Sequence, residues 1–133
     1  MKAKIGVMRE DLIRKRLLAI AQGTYKPLED EPKVWYASFN AISRILCQEN
    51  IDLLRMIAAE KPETVTELAE LSGRAKSNLS KTLKSLSDKG FVRLEPSRGK
   101  TLRPVAIYTD FEIISSSEIE NRVCHASLNK DVA

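Results

Sequence analysis

Residues 64–95 read TVTELAELSGRAKSNLSKTLKSLSDKGFVRLE, and the pattern changes three times along them. The stretch beginning at Thr66 (TELAEL) predicts a short helix, with the Thr66 hydroxyl placed to cap its orphan amides. Ser72-Gly73 breaks that helix. Leu79, Leu83 and Leu86 then recur at i, i+4 and i+7, which predicts a second helix over 76–89 with Gly90 as its stop. Phe91-Val92-Arg93-Leu94-Glu95 alternates with a period of two, the mark of a strand. If the leucines of the second helix face a core, Ser77, Asn78, Lys81, Lys84 and Ser85 share the outward side.

Working outward, Glu49–Glu60 (ENIDLLRMIAAE) predicts a helix with Ile51, Leu54, Ile57 and Ala58 on one side, ended by Pro62. Downstream, Pro96-Ser97-Arg98-Gly99-Lys100 reads as a turn, 105–109 (VAIYT) as the second strand of a hairpin, and Phe111–Ile114 as a short extra strand. From Ser115 the chain is polar, with only Ile119 and Val123 hinting at a helix, so the tail is expected to be partly helical or loose. Upstream, residues 8–22 predict a helix stopped by Gly23. Pro27, Pro32 and the acidic Glu29-Asp30-Glu31 make 24–33 a connection. Val34-Trp35-Tyr36 is β-prone, and Ser38 can cap a helix carrying Phe39, Ile42, Ile45 and Leu46. The expected fold class is α+β, mostly α, in three parts: a helical extension over 1–48, a central domain over 49–109, and a strand with a polar tail over 110–133.

The charge is segregated. Residues 74–104 hold nine Lys and Arg against two Asp and Glu, a net +7, whereas the whole chain of 133 residues carries only +4. The segments on either side, 61–73 and 105–133, are acidic. A solvated face usually mixes signs, so this segregation favours a surface for a polyanion. Singly, Ser77 and Asn78 would also suit helix caps, and Lys81, Lys84 and Lys89 a solvated face. Their coincidence on one surface is what points to binding.

The order helix, short helix, glycine turn, helix, hairpin is the layout of a winged helix-turn-helix. Over residues 49–109 the chain resembles the DNA-binding core of MarR-like transcriptional regulators. It shares their T-x-x-E-L-A start, the turn with glycine, the leucine-spaced Ser/Asn helix and the K-G-[FL]-V entry to the wing. The flanks fall outside the resemblance and lack the long dimerisation helices usual in that family. The resemblance implies a regulator, a repressor by expectation, that reads double-stranded DNA. Asn is suited to adenine, Lys to guanine or phosphate, and Ser to either. The expected DNA-binding residues are Thr66, Arg74, Ala75, Lys76, Ser77, Asn78, Lys81 and Lys84, with Arg98, Lys100 and Arg103 on the wing. Two alternatives fit the same residues: an antitoxin that autoregulates its operon and covers a protein toxin, and a winged-helix module that binds protein without DNA.

One recognition helix reads few base pairs, so a homodimer is expected. Leu12, Ile13, Leu17, Leu18 and Ile20 make a broad apolar stripe, with Trp35, Phe39 and Ile42 as the surface it would meet. No cofactor, metal or catalytic set is expected. Cys124 and His125 stand alone as potential ligands. No phosphate-cradling, zincin or nucleophile-elbow motif occurs. Cys47, ahead of the 49–60 helix, reads as a small apolar residue before it reads as a thiol sensor. No apolar run approaches the ~20 residues of a membrane span, and no signal core precedes Arg9-Glu10-Asp11, so a cytoplasmic protein is expected.

Overall fold

The computed structural model describes residues 2–97, 99 and 101–132, with side chains as far as Leu128. The described residues form, in chain order, β1 (Lys2–Val7), α1 (Glu10–Gln22), β2 (Val34–Tyr36), α2 (Phe39–Ile45), α3 (Gln48–Glu60), α4 (Val65–Ser72), α5 (Lys76–Asp88), β3 (Val92–Pro96), β4 (Leu102–Ala106), β5 (Asp110–Ile114) and α6 (Ser117–Val132). The class is α+β and mostly helical. Among the described residues no helix is long and apolar enough to cross a membrane. The chain divides into two compact units, one built on Ser43–Asp110, the other on Ala3–Ile42 and the segment from Phe111 onward.

In the first unit, α3 buries Leu53, Leu54 and Ile57, α4 buries Leu68, and α5 buries Leu79, Leu83 and Leu86. Each buried leucine contributes roughly 1.5–3 kcal/mol. Packing of this stripe, more than the propensity of a Ser-rich sequence, therefore holds α5 in place. Phe91 and Val92 are also buried, and the Phe91 ring meets Tyr108 edge to face at 6.4 Å. β3 and β4 pair antiparallel, with Glu95 opposite Arg103 and Pro96 opposite Leu102.

In the second unit the strand order is β2-β1-β5. β1 and β2 run parallel, Gly6 facing Trp35, and α1 supplies the crossover that parallel neighbours require. A Cβ at Gly6 would stand 2.2 Å from the Trp35 ring, so only glycine lets the ring lie across the strand there. Met8, Leu12, Ala19 and Tyr25 form a core with Val123 and Ala126 of α6.

Four expectations change. The segment 2–7, unassigned from sequence, is the middle strand of a sheet, because its hydrogen-bonding partners lie far along the chain. The tail is a helix that fills the core with Val123, so it joins the N-terminal residues in one unit instead of standing apart from them. The cap of α4 is Thr64: the Glu67 N–H donates to its Oγ1 at 3.1 Å, and Thr66 lies inside the first turn. β4 begins at Leu102 rather than Val105, which takes Arg103 off the turn and into the strand.

Candidate functional site

The site grows from the connection between α4 and α5. Gly73 adopts φ 72°, a left-handed cap that returns its N–H to the Ala69 carbonyl at 3.0 Å. Two residues later α5 starts from Ala75, whose cap position has no side-chain hydrogen bond. With three leucines fixed inward, Lys76, Ser77, Asn78, Lys81, Lys84 and Ser85 are all exposed. No side chain of Lys76, Ser77, Asn78, Lys81 or Lys84 makes a hydrogen bond or ion pair to another described residue, and with Ala75 at the cap position Ser77 and Asn78 are not helix caps. Asp88 is the one acid of α5, at its C-terminal end. Arg74 is half-buried and its guanidinium reaches Thr82 Oγ1 at 3.4 Å, which ties it to α5.

Concavities flank this helix on its two sides. One, of about 180 Å³, brings Thr66 and the first turn of α4 together with Lys76, Ser80, Thr101 and Leu102. The other, of about 330 Å³, joins Lys81, Thr82 and Ser85 of α5 to Arg44 and Asn50. Asn50 is held there by donating to the Ile45 carbonyl at 2.9 Å. Arg44 is exposed, with no ion pair among the described residues. Reading the sequence missed Arg44 and Ser80. Ser80 was recoverable from its place one turn after Lys76, whereas nothing local links Arg44 to Lys81. Asn78 also borders a third concavity, of about 450 Å³, with Glu49, Asp52 and Arg74, so its side facing α3 is acidic.

On the hairpin, Arg93 Nε donates to Glu95 Oε1 at 2.8 Å, and Arg103 donates to Glu95 Oε2. These bonds, that of Arg103 first, hold the Glu95 carboxyl below the usual carboxylate range. Arg103, expected on the wing as a DNA-binding residue, is thus paired with a carboxylate while remaining exposed. Arg98 and Lys100 lie outside the described residues.

The expected dimer residues separate. Leu12 and Ile42 are each 2% exposed and serve the chain's own core. Ile13, Ile20 and Trp35 are half-buried against the Leu12 cluster. Leu17, Leu18 and Phe39 remain open at 60%, 51% and 60%. Cys47 is half-buried at the cap position of α3, and Cys124 packs on the Leu12 cluster. Among the described residues no group of three His, Cys, Asp or Glu side chains is placed to hold a metal.

Fold and site thus define an α+β protein that presents an unpaired basic helix face between two cation-bearing concavities. The family model HVO_A0114 matches residues 45–113, just over half of the sequence, and the chain belongs to that family. No curated protein matches the chain.

Proposed function

We propose that the chain is a winged helix-turn-helix regulator that binds double-stranded DNA sequence-specifically and represses by occupying its site. In this reading α4 and α5 are the helix-turn-helix, α5 enters the major groove, and β3–β4 is the wing. The observation that carries it is the outward face of α5, where Lys76, Lys81 and Lys84 stand exposed and unpaired beside Ser77 and Asn78. Like cations left together without a carboxylate suit an array of phosphates. Arg44 and Lys81 on one flank, and Lys76 with Thr66 on the other, are placed for the two backbones bordering the groove.

Gel-shift titration against the DNA upstream of the protein's own gene, repeated across salt, tests this. Asn78→Ala is expected to cost about 1–3 kcal/mol at one base position and to relax preference there. Lys84→Ala should weaken all sequences alike and flatten the salt slope by about one unit. Binding that is independent of salt, or an unchanged sequence preference in Asn78→Ala, would overturn the reading.

Glu95 acts against binding here, because it neutralises Arg93 and Arg103. Glu95→Gln is expected to raise affinity for all duplexes and steepen the salt slope. An unchanged slope would take the hairpin out of the interface.

Sequence discrimination in a genome requires more than one such helix, so we assign the protein to a two-fold dimer. Leu17, Leu18 and Phe39 are its contacts, Leu12 and Ile42 being spent on the core. Leu17→Asp is expected to halve the mass seen in sedimentation while leaving the melting temperature near that of wild type. A wild-type chain that sediments as a monomer at micromolar concentration and still binds one half-site tightly would sink the dimer.

A further inference from the structure

We propose that the unit built on Ala3–Ile42 and the segment from Phe111 onward binds a small molecule through an oxyanion, a phosphate or carboxylate group, in the concavity between residues 24–26 and α6. This concavity, about 700 Å³, is lined by Thr24, Tyr25, Lys26, Asn121, Arg122 and His125, together with Ser117 and Glu118.

The reason lies in a charge imbalance beneath it. The Glu31 and Arg16 side chains are only 1% and 7% exposed, and Arg16 Nε donates to Glu31 Oε1 at 2.9 Å. The same carboxylate accepts from the Tyr25 hydroxyl at 2.8 Å and from the Leu28 N–H at 3.1 Å. Its acceptor sites are therefore nearly filled before the second guanidinium, Arg122, approaches at 3.5 Å. The other direct contacts of Arg122 are to neutral groups. It donates to the Tyr25 hydroxyl at 3.4 Å and to the Lys26 carbonyl at 3.3 Å, and lies 4.9 Å from the Tyr25 ring centre. Two arginines thus share one nearly filled carboxylate, and the surplus charge is on Arg122, whose side chain is 34% exposed in the wall of the concavity.

The rest of the wall extends that preference. Lys26, His125 and Asn121 are exposed and make no side-chain hydrogen bond or ion pair to a described residue. Glu118 is the one carboxylate among the lining residues, so with neutral histidine the lining carries +1. A partly desolvated guanidinium takes a forked oxyanion in preference to water. The volume falls within the ~300–1,000 Å³ of small-molecule sites, which leaves room for more than the bare ion.

The full chain carrying Lys76→Ala, Lys81→Ala and Lys84→Ala, which removes the α5 cations, is titrated with inorganic phosphate and separately with succinate while amide resonances are followed. Saturable shifts confined to residues 24–26 and 117–126 are expected with at least one probe, and the responding probe names the anion class. Lys26→Ala and His125→Ala, both surface changes, should each weaken that binding by about tenfold, the loss of one charge-assisted contact. No saturable shift with either probe overturns the site, as does binding that both variants leave intact.

Discussion

Glu31→Gln is expected to lower stability by about 3–5 kcal/mol, the usual cost of removing one partner from a buried ion pair. The substitution preserves shape but leaves Arg16 charged, buried and facing a neutral amide, with Arg122 beside it. Arg16 cannot retreat to water, because it sits on the same face of α1 as Leu12 and Ala19, between the Trp35 and Tyr25 rings at 5.3 and 5.9 Å. Urea melts followed by Trp35 fluorescence measure this directly, since Trp35 is the sole tryptophan and lies in this unit. Replacing both partners, Arg16→Met with Glu31→Leu, should recover most of the loss, because it removes the desolvation cost along with the attraction. Single and double variants of equal stability would mean that the ion pair is not what holds the 24–33 connection down. The same cluster predicts weakening in strong alkali. Burial first, then the hydrogen bond to Glu31, raise the Tyr25 phenol above its ordinary value of 10.0. Its neutral form is thus favoured by folding. That contribution is complete below pH 10 and is lost as pH rises through the higher folded value.

Replacing Lys76, Lys81 and Lys84 together by alanine should weaken DNA binding by roughly a hundredfold or more at moderate salt and flatten the salt slope by about three units. None of the three is buried or paired to a described residue, and alanine is the better helix former. The triple variant should therefore melt at or slightly above the wild-type temperature, which separates lost contacts from lost fold. Retained affinity in a variant that melts normally would remove α5 from the groove and with it the proposed function. Arg44→Ala, outside α5, should add a further slope change of about one unit in that background if both flanks of the helix hold phosphate.

Much of the first unit was legible because its signals are local. Leucines at i, i+4 and i+7 declare which face of α5 is buried, whatever they pack against, and the opposite face follows from helical geometry. Gly73 and Gly90 mark the ends of α4 and α5 because left-handed caps are cheap only for glycine. The misplaced cap of α4 shows the limit of such signals. Thr64 and Thr66 both suit the role, and Thr64 holds it because Glu67, three residues on, returns a carboxylate to the Glu63 N–H at 3.2 Å. The pairing of Arg103 was hidden for a related reason. A cation near a turn reads as unpaired until the register puts Glu95 opposite it.

The sequence by itself determined the helices α1 to α5, the hairpin, the basic segment and the outward residues of α5, since each rests on spacing within one turn or one strand. The tertiary structure alone decided the rest. β1 becomes a strand only because residues 34–36 and 110–114 come to its two edges, and hydrogen bonding across such distances leaves no periodic trace in a six-residue segment. Arg16 reads as a solvent-facing position of a charged helix. It is buried because Glu31, carried in by the connection after α1, offsets its desolvation. Val123 is no more than a weak helical hint in a polar tail, and it is core because α1 supplies the surface that covers it. Arg44 comes beside Lys81 only after α2, α3 and α5 have packed. In each case one side of the interaction is silent until folding delivers the other, because the free energy of a buried charge, a strand edge or an apolar side chain depends on its partner more than on its neighbours in sequence.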